Sequence, residues 1–226
     1  MHVPHDYNGA VRSLCMLVLG ATVALVVPRQ SAAQVPPPPI GHWVVDARVQ
    51  VPRFPQTTPL AASRGVNTVD LPGTGLGAQG GAHVFLLRLK GARIGVGAEA
   101  TQGWASHNAS PLASGLQSRA TSARLTTLAG TLSANFGSGA GWSYISAGGG
   151  SARWSLVPTG AAARAADQSW VTLLHYGGGA RWDVRPHVAF TADARFYVLG
   201  QGVSDGIYPG PLRTRLLVIG AGLAVH

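Results

Sequence analysis

The sequence predicts an all-β fold, an eight-stranded antiparallel up-and-down transmembrane β-barrel. Three observations predict it. Apolar side chains recur at every second position over stretches of about ten residues, tight turns alternate with long connections between these stretches, and Trp or Phe stands near both ends of the apolar sets. A strand that crosses lipid has this pattern, with its aromatic residues at the two membrane interfaces.

The clearest stretch, residues 169–200, contains two strands and a tight turn. From Trp170 the even positions carry an apolar set that ends at Val184, whereas the odd positions become polar and charged. After the turn Arg185-Pro186-His187 the alternation resumes from Val188 to Val198. The hairpin therefore has one apolar face and one charged face.

Residues 1–33 are predicted to be a secretory signal peptide, with cleavage after Ala33. Arg12 precedes an apolar run at 14–27, and Pro28 and small residues follow it. The run is shorter than the ~20 residues that a membrane-spanning helix needs, although an N-terminal anchor is the alternative. Cleavage removes Cys15, the only cysteine, and with it any disulfide, thiolate metal site or cysteine nucleophile.

The remaining chain is predicted to hold a Pro-rich periplasmic leader at 34–42 and one barrel domain at 43–226. The whole chain contains 31 glycines and only 11% charged residues, and no long apolar run follows residue 33, which argues against a helical membrane protein. The formal net charge is +9. Nucleic-acid binders concentrate Lys and Arg on one surface, but here they are scattered singly, so no nucleic-acid partner is expected.

The first three strands follow from alternation and one turn. In the first, an apolar set runs from Trp43 to Val51, with Asp46, Arg48 and Gln50 on the other face. The second strand covers about 76–89, and Lys90-Gly91 is a two-residue hairpin turn. This turn predicts four cross-strand pairs: Leu89 with Ala92, Leu87 with Ile94, Phe85 with Val96, and His83 with Ala98.

The other strands are read in the same way. The fourth covers about 121–136, and a turn at 137–141 pairs Phe136 with Trp142 and Ala134 with Tyr144. The fifth continues to Leu156, the sixth and seventh form the hairpin described above, and the eighth covers 212–226. The apolar face of the fifth strand is predicted to contain its tryptophans, which leaves Arg153 on the charged face.

The connections alternate in length. Tight turns at 90–91, 137–141 and 185–187 stand at one end, and long connections at about 52–75, 105–120, 157–168 and 200–211 stand at the other. The aromatic residues then form two girdles: Trp43, Phe136, Trp142 and Trp182 near the short turns, and Trp104, Trp154, Trp170 and Phe196 near the long connections.

With this pattern the chain resembles the small bacterial outer-membrane β-barrels of the OmpA transmembrane domain and OmpX type. The resemblance covers the whole mature chain, and it lies in the strand pattern. It implies an outer-membrane location, periplasmic short turns and termini, insertion by the outer-membrane assembly machinery, a monomer, and no cofactor. Such barrels usually end in an aromatic residue, whereas this chain ends in Val225-His226.

Eight strands enclose an interior only wide enough for side chains, so the barrel is expected to be filled. Register places Arg181 opposite Thr191 and makes Asp193 its diagonal neighbour, which predicts an Arg181–Asp193 pair. Gly177 and Gly179 leave room opposite Arg195 and Asp193. The predicted interior charge network consists of Asp46, Arg48, Arg93, Glu99, Arg153, His175, Arg181, Asp183, Asp193 and Arg195.

The long connections carry arginines at the level expected for lipopolysaccharide phosphates, which arginine can bind in a bidentate manner. A solvated loop rim is the alternative interpretation. The predicted contacts are Arg64, Arg119, Arg124, Arg164, Arg213 and Arg215.

No catalytic, cofactor-binding or metal-binding residue is assigned from the sequence. The glycines at 73–77 are interpreted as a loop before a strand, because no helix pattern follows them. His107 with Ser106, Ser110 and Glu99 is the one arrangement that suggests Ser-His-acid chemistry. The predicted function is a non-enzymatic outer-membrane barrel that serves envelope integrity or surface interaction. The alternatives are a lipid A deacylase-like enzyme and a lipocalin-like carrier.

Overall fold

The computed structural model describes residues 40–112, 117–137, 140–207 and 209–226. The predicted signal peptide and most of the leader lie outside the described residues. Those residues form eight strands in one closed antiparallel barrel, in which each strand pairs with its neighbours in the chain and the last pairs with the first. The predicted fold class is confirmed. The strands are β1 (Trp43–Arg53), β2 (Leu76–Leu89), β3 (Ala92–His107), β4 (Thr121–Phe136), β5 (Gly141–Pro158), β6 (Val171–Arg185), β7 (Val188–Leu199) and β8 (Thr214–Val225).

Short turns and long loops lie at opposite ends, as the sequence predicts. The Lys90-Gly91 turn is possible because Gly91 has φ +84°, a left-handed conformation that glycine adopts without strain. The long connections are loop 1 (54–75), loop 2 (108–120), loop 3 (159–170) and loop 4 (200–213). Loop 1 contains the helix α1 (Thr58–Arg64). In the part of the chain that the structure describes, no helix combines the length and the hydrophobicity needed to cross a membrane.

The two faces of the wall differ sharply in composition. On β1, Val45 and Val49 are 50% and 59% exposed on the outer face, whereas Arg48 is 2% exposed on the inner face. The same alternation continues around the barrel, so large apolar side chains cover the outer wall. Exposed aromatic residues mark both ends of this band: Trp43, Phe136 and Trp182 near the short turns, and Trp104, Trp170 and Phe196 near the long loops.

The predicted β2–β3 register is correct next to the turn and wrong beyond it. A β-bulge at Leu86 inserts one extra residue, so Phe85 lies opposite Gly95 and His83 opposite Gly97. Phe85 and His83 therefore point into the barrel, where both are buried. The absence of side chains on the two facing glycines leaves the space that these rings occupy.

The prediction for β5 is wrong by one residue. Phe136 pairs with Ser143, and Asn135 pairs with Tyr144. Trp142 and Trp154 consequently lie inside the barrel, 4% and 1% exposed, and do not belong to the girdles. The physical reason is that the interior near its two ends is itself apolar, so a large apolar side chain there does not identify the lipid-facing side.

The barrel interior has three layers. An apolar cluster of Val44, Phe85, Ala189 and Ala224 fills the short-turn end. Charged residues fill the middle. At the long-loop end a larger apolar cluster joins the wall to loop 1: its members include Phe54, Leu60, Leu71, Trp154, Leu156 and Leu216. Side chains thus occupy the barrel from one end to the other.

Candidate functional site

Six charged side chains in the middle layer form a continuous series that we call the central ion-pair chain: Arg181, Asp46, Arg48, Asp193, Arg195 and Glu99. At one end Arg181 Nη2 lies 2.9 Å from Asp46 Oδ2. Arg48 donates to Asp46 Oδ1 from Nε at 2.8 Å and from Nη2 at 2.6 Å. Asp46 therefore joins two guanidinium groups.

The chain continues from Arg48 to the other side of the interior. Arg48 Nη1 forms an ion pair with Asp193 Oδ2, and the same oxygen accepts a hydrogen bond from Arg195 Nε at 2.7 Å. Arg195 Nη1 then pairs with Glu99 Oε2. The Tyr144 hydroxyl lies 3.3 Å from both Arg48 Nη1 and Asp193 Oδ2, and it donates to the latter.

The electrostatic balance of this chain explains how six charges can be buried. Three cations alternate with three anions, and each side chain is 2% exposed or less. Opposite charges with good hydrogen-bond geometry offset the large cost of removing each ion from water. Arg181 also lies over the Tyr144 ring, 4.4 Å from its centroid. That contact gives this terminal cation a second favourable interaction.

The predicted Arg181–Asp193 pair is replaced by Arg181–Asp46. Register places Arg181 opposite Thr191 and Asp193 opposite Gly179, as expected. Long side chains in a closed barrel also reach across the interior, however, and Asp46 on β1 meets Arg181 there. Neighbouring register alone does not reveal such contacts.

The other residues of the predicted interior charge network do not belong to the central ion-pair chain. His175 Nδ1 lies 3.6 Å from Glu99 Oε1 at the end of the central ion-pair chain. Asp183 Oδ1 lies 3.1 Å from His226 Nε2. Arg93 donates to the Gly41 carbonyl oxygen at 2.8 Å, near the short turns. Arg153 is exposed on the outer face, which corrects its assignment to the interior and follows from the one-residue shift in β5.

Three polar residues of the middle layer were missed by sequence reasoning. Gln79 accepts a hydrogen bond from Gln50, Tyr144 joins the central ion-pair chain, and His83 is buried beside it. The tyrosine hydroxyl could have indicated an inward side chain. His83 could not have been found, because the bulge that turns it inward leaves no clear signal in a run of leucines.

Loop 1 closes the long-loop end of the barrel. Leu60 and Ala61 of α1 are buried in the apolar cluster, and Gly65 ends the helix with φ +66°. Arg64 Nη1 forms a buried ion pair of 2.5 Å with Asp167 Oδ1 of loop 3. Arg64 is therefore a structural residue of this closure, which corrects its prediction as a lipid contact.

The remaining loops are joined to the same closure. The Asp70 carboxylate of loop 1 accepts hydrogen bonds from the backbone N–H groups of Arg119 in loop 2 and of Asn67. Although burial by itself raises the pKa of Asp70, these hydrogen bonds hold it below its ordinary value. Asp205 of loop 4 accepts from the Ala166 N–H of loop 3. We call this interlocked set of four loops the cap.

The other arginines predicted to contact lipopolysaccharide fall into two groups. Arg164 is partly buried and donates to the Arg64 carbonyl oxygen, so it belongs to the cap. Four are exposed at the long-loop end: Arg119, Arg124, Arg213 and Arg215. Two further arginines are exposed on the outer wall at the same end: Arg53, to which the sequence analysis assigned no role, and Arg153, which it predicted in the interior.

Of the residues considered for catalysis, His107 and Ser110 meet through Ser118, whereas Glu99 lies elsewhere. His107 Nε2 lies 3.2 Å from Ser118 Oγ, which is buried and also contacts Ser110. Glu99 points into the middle layer and pairs with Arg195. In the described part of the chain, no group of three or more His, Cys, Asp or Glu side chains could hold a metal ion. A lipocalin-like carrier needs an apolar interior cavity, whereas charged side chains fill the middle of this barrel.

Comparison with solved structures supports the fold. The crystal structure of neisserial surface protein A is similar to this chain with a TM-score of 0.52 and 16% identity, over 82% of this chain and 97% of that one. The N-terminal β-barrel domain of Pseudomonas aeruginosa OprF matches with a TM-score of 0.36, 15% identity and coverage of 80% and 96%. Ail, the attachment invasion locus protein of Yersinia pestis, matches with a TM-score of 0.37 and 14% identity, over 80% of this chain and 95% of that one.

The first of these similarities shows a shared barrel architecture, and the last two TM-scores are too low to support an argument. No protein-family model matches the chain. A search of curated proteins also finds no match.

Proposed function

We propose that this chain is a non-enzymatic protein of the bacterial outer membrane that contributes to envelope integrity or to surface interaction through its long loops. One observation carries the proposal: the outer wall exposes a band of large apolar side chains while the charges are buried inside. A soluble monomer rarely exposes so large an apolar surface. In a bilayer that band is buried against lipid, and barrel closure satisfies the backbone hydrogen bonds of the strands.

The proposal includes an orientation. Short turns of bacterial outer-membrane barrels face the periplasm and longer loops face outward, so both ends of the barrel domain are placed in the periplasm. The cap then faces the cell exterior. Its loops are joined by the buried Arg64–Asp167 pair and by Asp70, which favours a defined surface over four independent loops.

The proposal also includes lipid partners. Exposed arginines at the long-loop end suit lipopolysaccharide phosphates, since a guanidinium group can donate two parallel hydrogen bonds to a phosphate. Of the predicted contacts, Arg119, Arg124, Arg213 and Arg215 remain candidates because they are exposed. Insertion by the outer-membrane assembly machinery as a monomer, without a nucleic-acid partner, completes the proposal.

Fractionation and surface proteolysis test this function. The protein is expected in the outer-membrane fraction, and it should migrate differently on a gel before and after boiling. Trypsin added to intact cells should cut after the exposed Arg119 or Arg213 and not after Lys90 at the short-turn end. Recovery in the soluble fraction would contradict the location, and cleavage after Lys90 would reverse the orientation.

A further inference from the structure

Arg53 and Arg215 form a pair on the outer wall at the seam between β1 and β8. Arg53 lies opposite Leu217, which makes Arg215 its diagonal neighbour on the same face. Diagonal neighbours in an antiparallel sheet are roughly 7–8 Å apart at their backbones, within reach of two long side chains that share one ligand. Both side chains are exposed.

Arg124 and Arg153 form a second pair, at the seam between β4 and β5. Arg124 lies opposite Ser155, so Arg153 is its diagonal neighbour with the same offset as in the first pair. Arg153 lies 4.9 Å from the centroid of the Trp170 ring, which restricts its guanidinium group. The two seams are four strands apart in either direction around the barrel, so the pairs occupy opposite sides.

The positive charge of these pairs is not balanced by the protein. In the described ranges, none of the four arginines forms an ion pair with an acid. The acids of those ranges all lie in the interior or the cap, and Asp205 of the cap is exposed. The others are Asp46, Asp70, Glu99, Asp167, Asp183 and Asp193. Two like charges on adjacent strands repel each other, and a shared anion removes that repulsion.

The position of the pairs indicates which anion they would meet in a membrane. Trp104 lies directly opposite Arg124, and Trp104 and Trp170 belong to the girdle near the long loops. Aromatic girdles lie at the level of the lipid headgroups. The headgroup anion at this level is phosphate, which two guanidinium groups can bind with several charge-assisted hydrogen bonds.

We infer that each arginine pair binds one lipid-borne phosphate, so that the barrel holds two phosphate-bearing lipids on opposite sides of its long-loop end. This inference rests on the proposed function, because a barrel meets such lipids only in a membrane. The phosphate can belong to the lipid A part of lipopolysaccharide or to a phospholipid headgroup.

Native mass spectrometry of the purified barrel in non-ionic detergent tests the inference. Titration with lipid A should give about two bound lipids per barrel, and dephosphorylated lipid A should give none at the same concentration. Arg124→Gln with Arg153→Gln, or Arg53→Gln with Arg215→Gln, should each reduce the number to about one, and all four changes should abolish binding. Phosphatidylglycerol, titrated in parallel, identifies the source of the phosphate by its relative affinity.

Arg88→Gln with Arg185→Gln is the matched control, because it removes the same charge from exposed positions at the short-turn end. It should leave both lipid A molecules bound. Any of three results would overturn the inference. The control could lose as much bound lipid A as the paired variants, the variant with all four changes could bind as much lipid A as the wild type, or dephosphorylated lipid A could bind as well as lipid A. Failure to fractionate with the outer membrane would instead refute the proposed function, and the detergent titration does not depend on that result.

Discussion

The central ion-pair chain predicts that its two aspartates differ in importance, although each contacts two arginines. Asp46→Asn leaves Arg181 without an acidic partner, because the contacts of Arg181 with an acid are all made to Asp46 among the described residues. In Asp193→Asn, by contrast, both arginines that contacted Asp193 keep an acidic partner. Arg48 still pairs with Asp46, and Arg195 still pairs with Glu99. All six side chains of the central ion-pair chain are buried, so water cannot easily replace the lost carboxylate.

The magnitudes follow from these contacts. An uncompensated buried cation costs roughly 3–5 kcal/mol, and the stacking of Arg181 on Tyr144 offsets about 1 kcal/mol of this in Asp46→Asn. Asp193→Asn loses charge-assisted hydrogen bonds and should cost roughly 1.5–3 kcal/mol. Adding Arg181→Met to Asp46→Asn removes the orphaned cation, so the double variant should be more stable than Asp46→Asn alone.

Urea unfolding in lipid vesicles, followed by tryptophan fluorescence, measures these free energies of unfolding. The expected order of stability is wild type, then Asp193→Asn, then Asp46→Asn, with the Asp46→Asn/Arg181→Met variant above Asp46→Asn. If Asp193→Asn proved the more damaging change, or if Arg181→Met destabilised the Asp46→Asn protein further, the derived pairing would be wrong.

Three further predictions concern the glycines and the cap. Gly148→Ala should lower the free energy of unfolding by about 1–3 kcal/mol, because the added Cβ would lie 2.0 Å from a carbonyl oxygen of β4. Gly80→Ala is the control, since the space around Gly80 is open. Equal urea unfolding midpoints for the two variants would contradict this prediction. Arg64→Met leaves the Asp167 carboxyl buried without its cation, so loop 1 should become more sensitive to protease; unchanged cleavage rates would contradict the role of the pair. The lowered pKa of Asp70 means that its carboxylate stabilises loop 1 fully above the ordinary value of 3.8 and loses that effect as the pH falls through the lower folded value. Hydrogen-exchange protection of loop 1, measured relative to the intrinsic exchange rate at each pH, should therefore decrease in acid in the wild type. A similar decrease in Asp70→Asn would refute the assignment.

The alternation of apolar and polar residues predicted the strands because, in the middle of each strand, the outer face is apolar and the inner face is polar or charged. Val45 against Arg48 on β1 shows this contrast, and β2 and β4 begin and end at the predicted residues. The contrast disappears toward the barrel ends, where the interior is also apolar. The alternation therefore predicts Trp142 and Trp154 on the lipid side, and by the same alternation it predicts Arg153 in the interior.

The side-chain contacts of the candidate site are harder to predict from the sequence than the strands are. Register predicts neighbours within the sheet, such as Arg181 with Thr191, and not the partners that meet across the interior, such as Arg181 with Asp46. The helix in loop 1 is seven residues long, and its burial depends on the apolar pocket at the barrel end. Without that pocket nothing in the sequence marks Arg64 as a buried partner of Asp167, so the sequence predicts one more exposed arginine.

Conductance across a planar lipid bilayer tests the central claim, a lipid-embedded barrel with a sealed interior, most directly. Among the described residues, the apolar clusters at the two ends and the central ion-pair chain between them fill the interior with buried side chains, and this filling argues against a continuous water path. Purified protein, shown to be inserted by its resistance to extraction, should therefore produce no steady single-channel steps. Reproducible large steps from the inserted protein would show a water-filled pore and contradict the account.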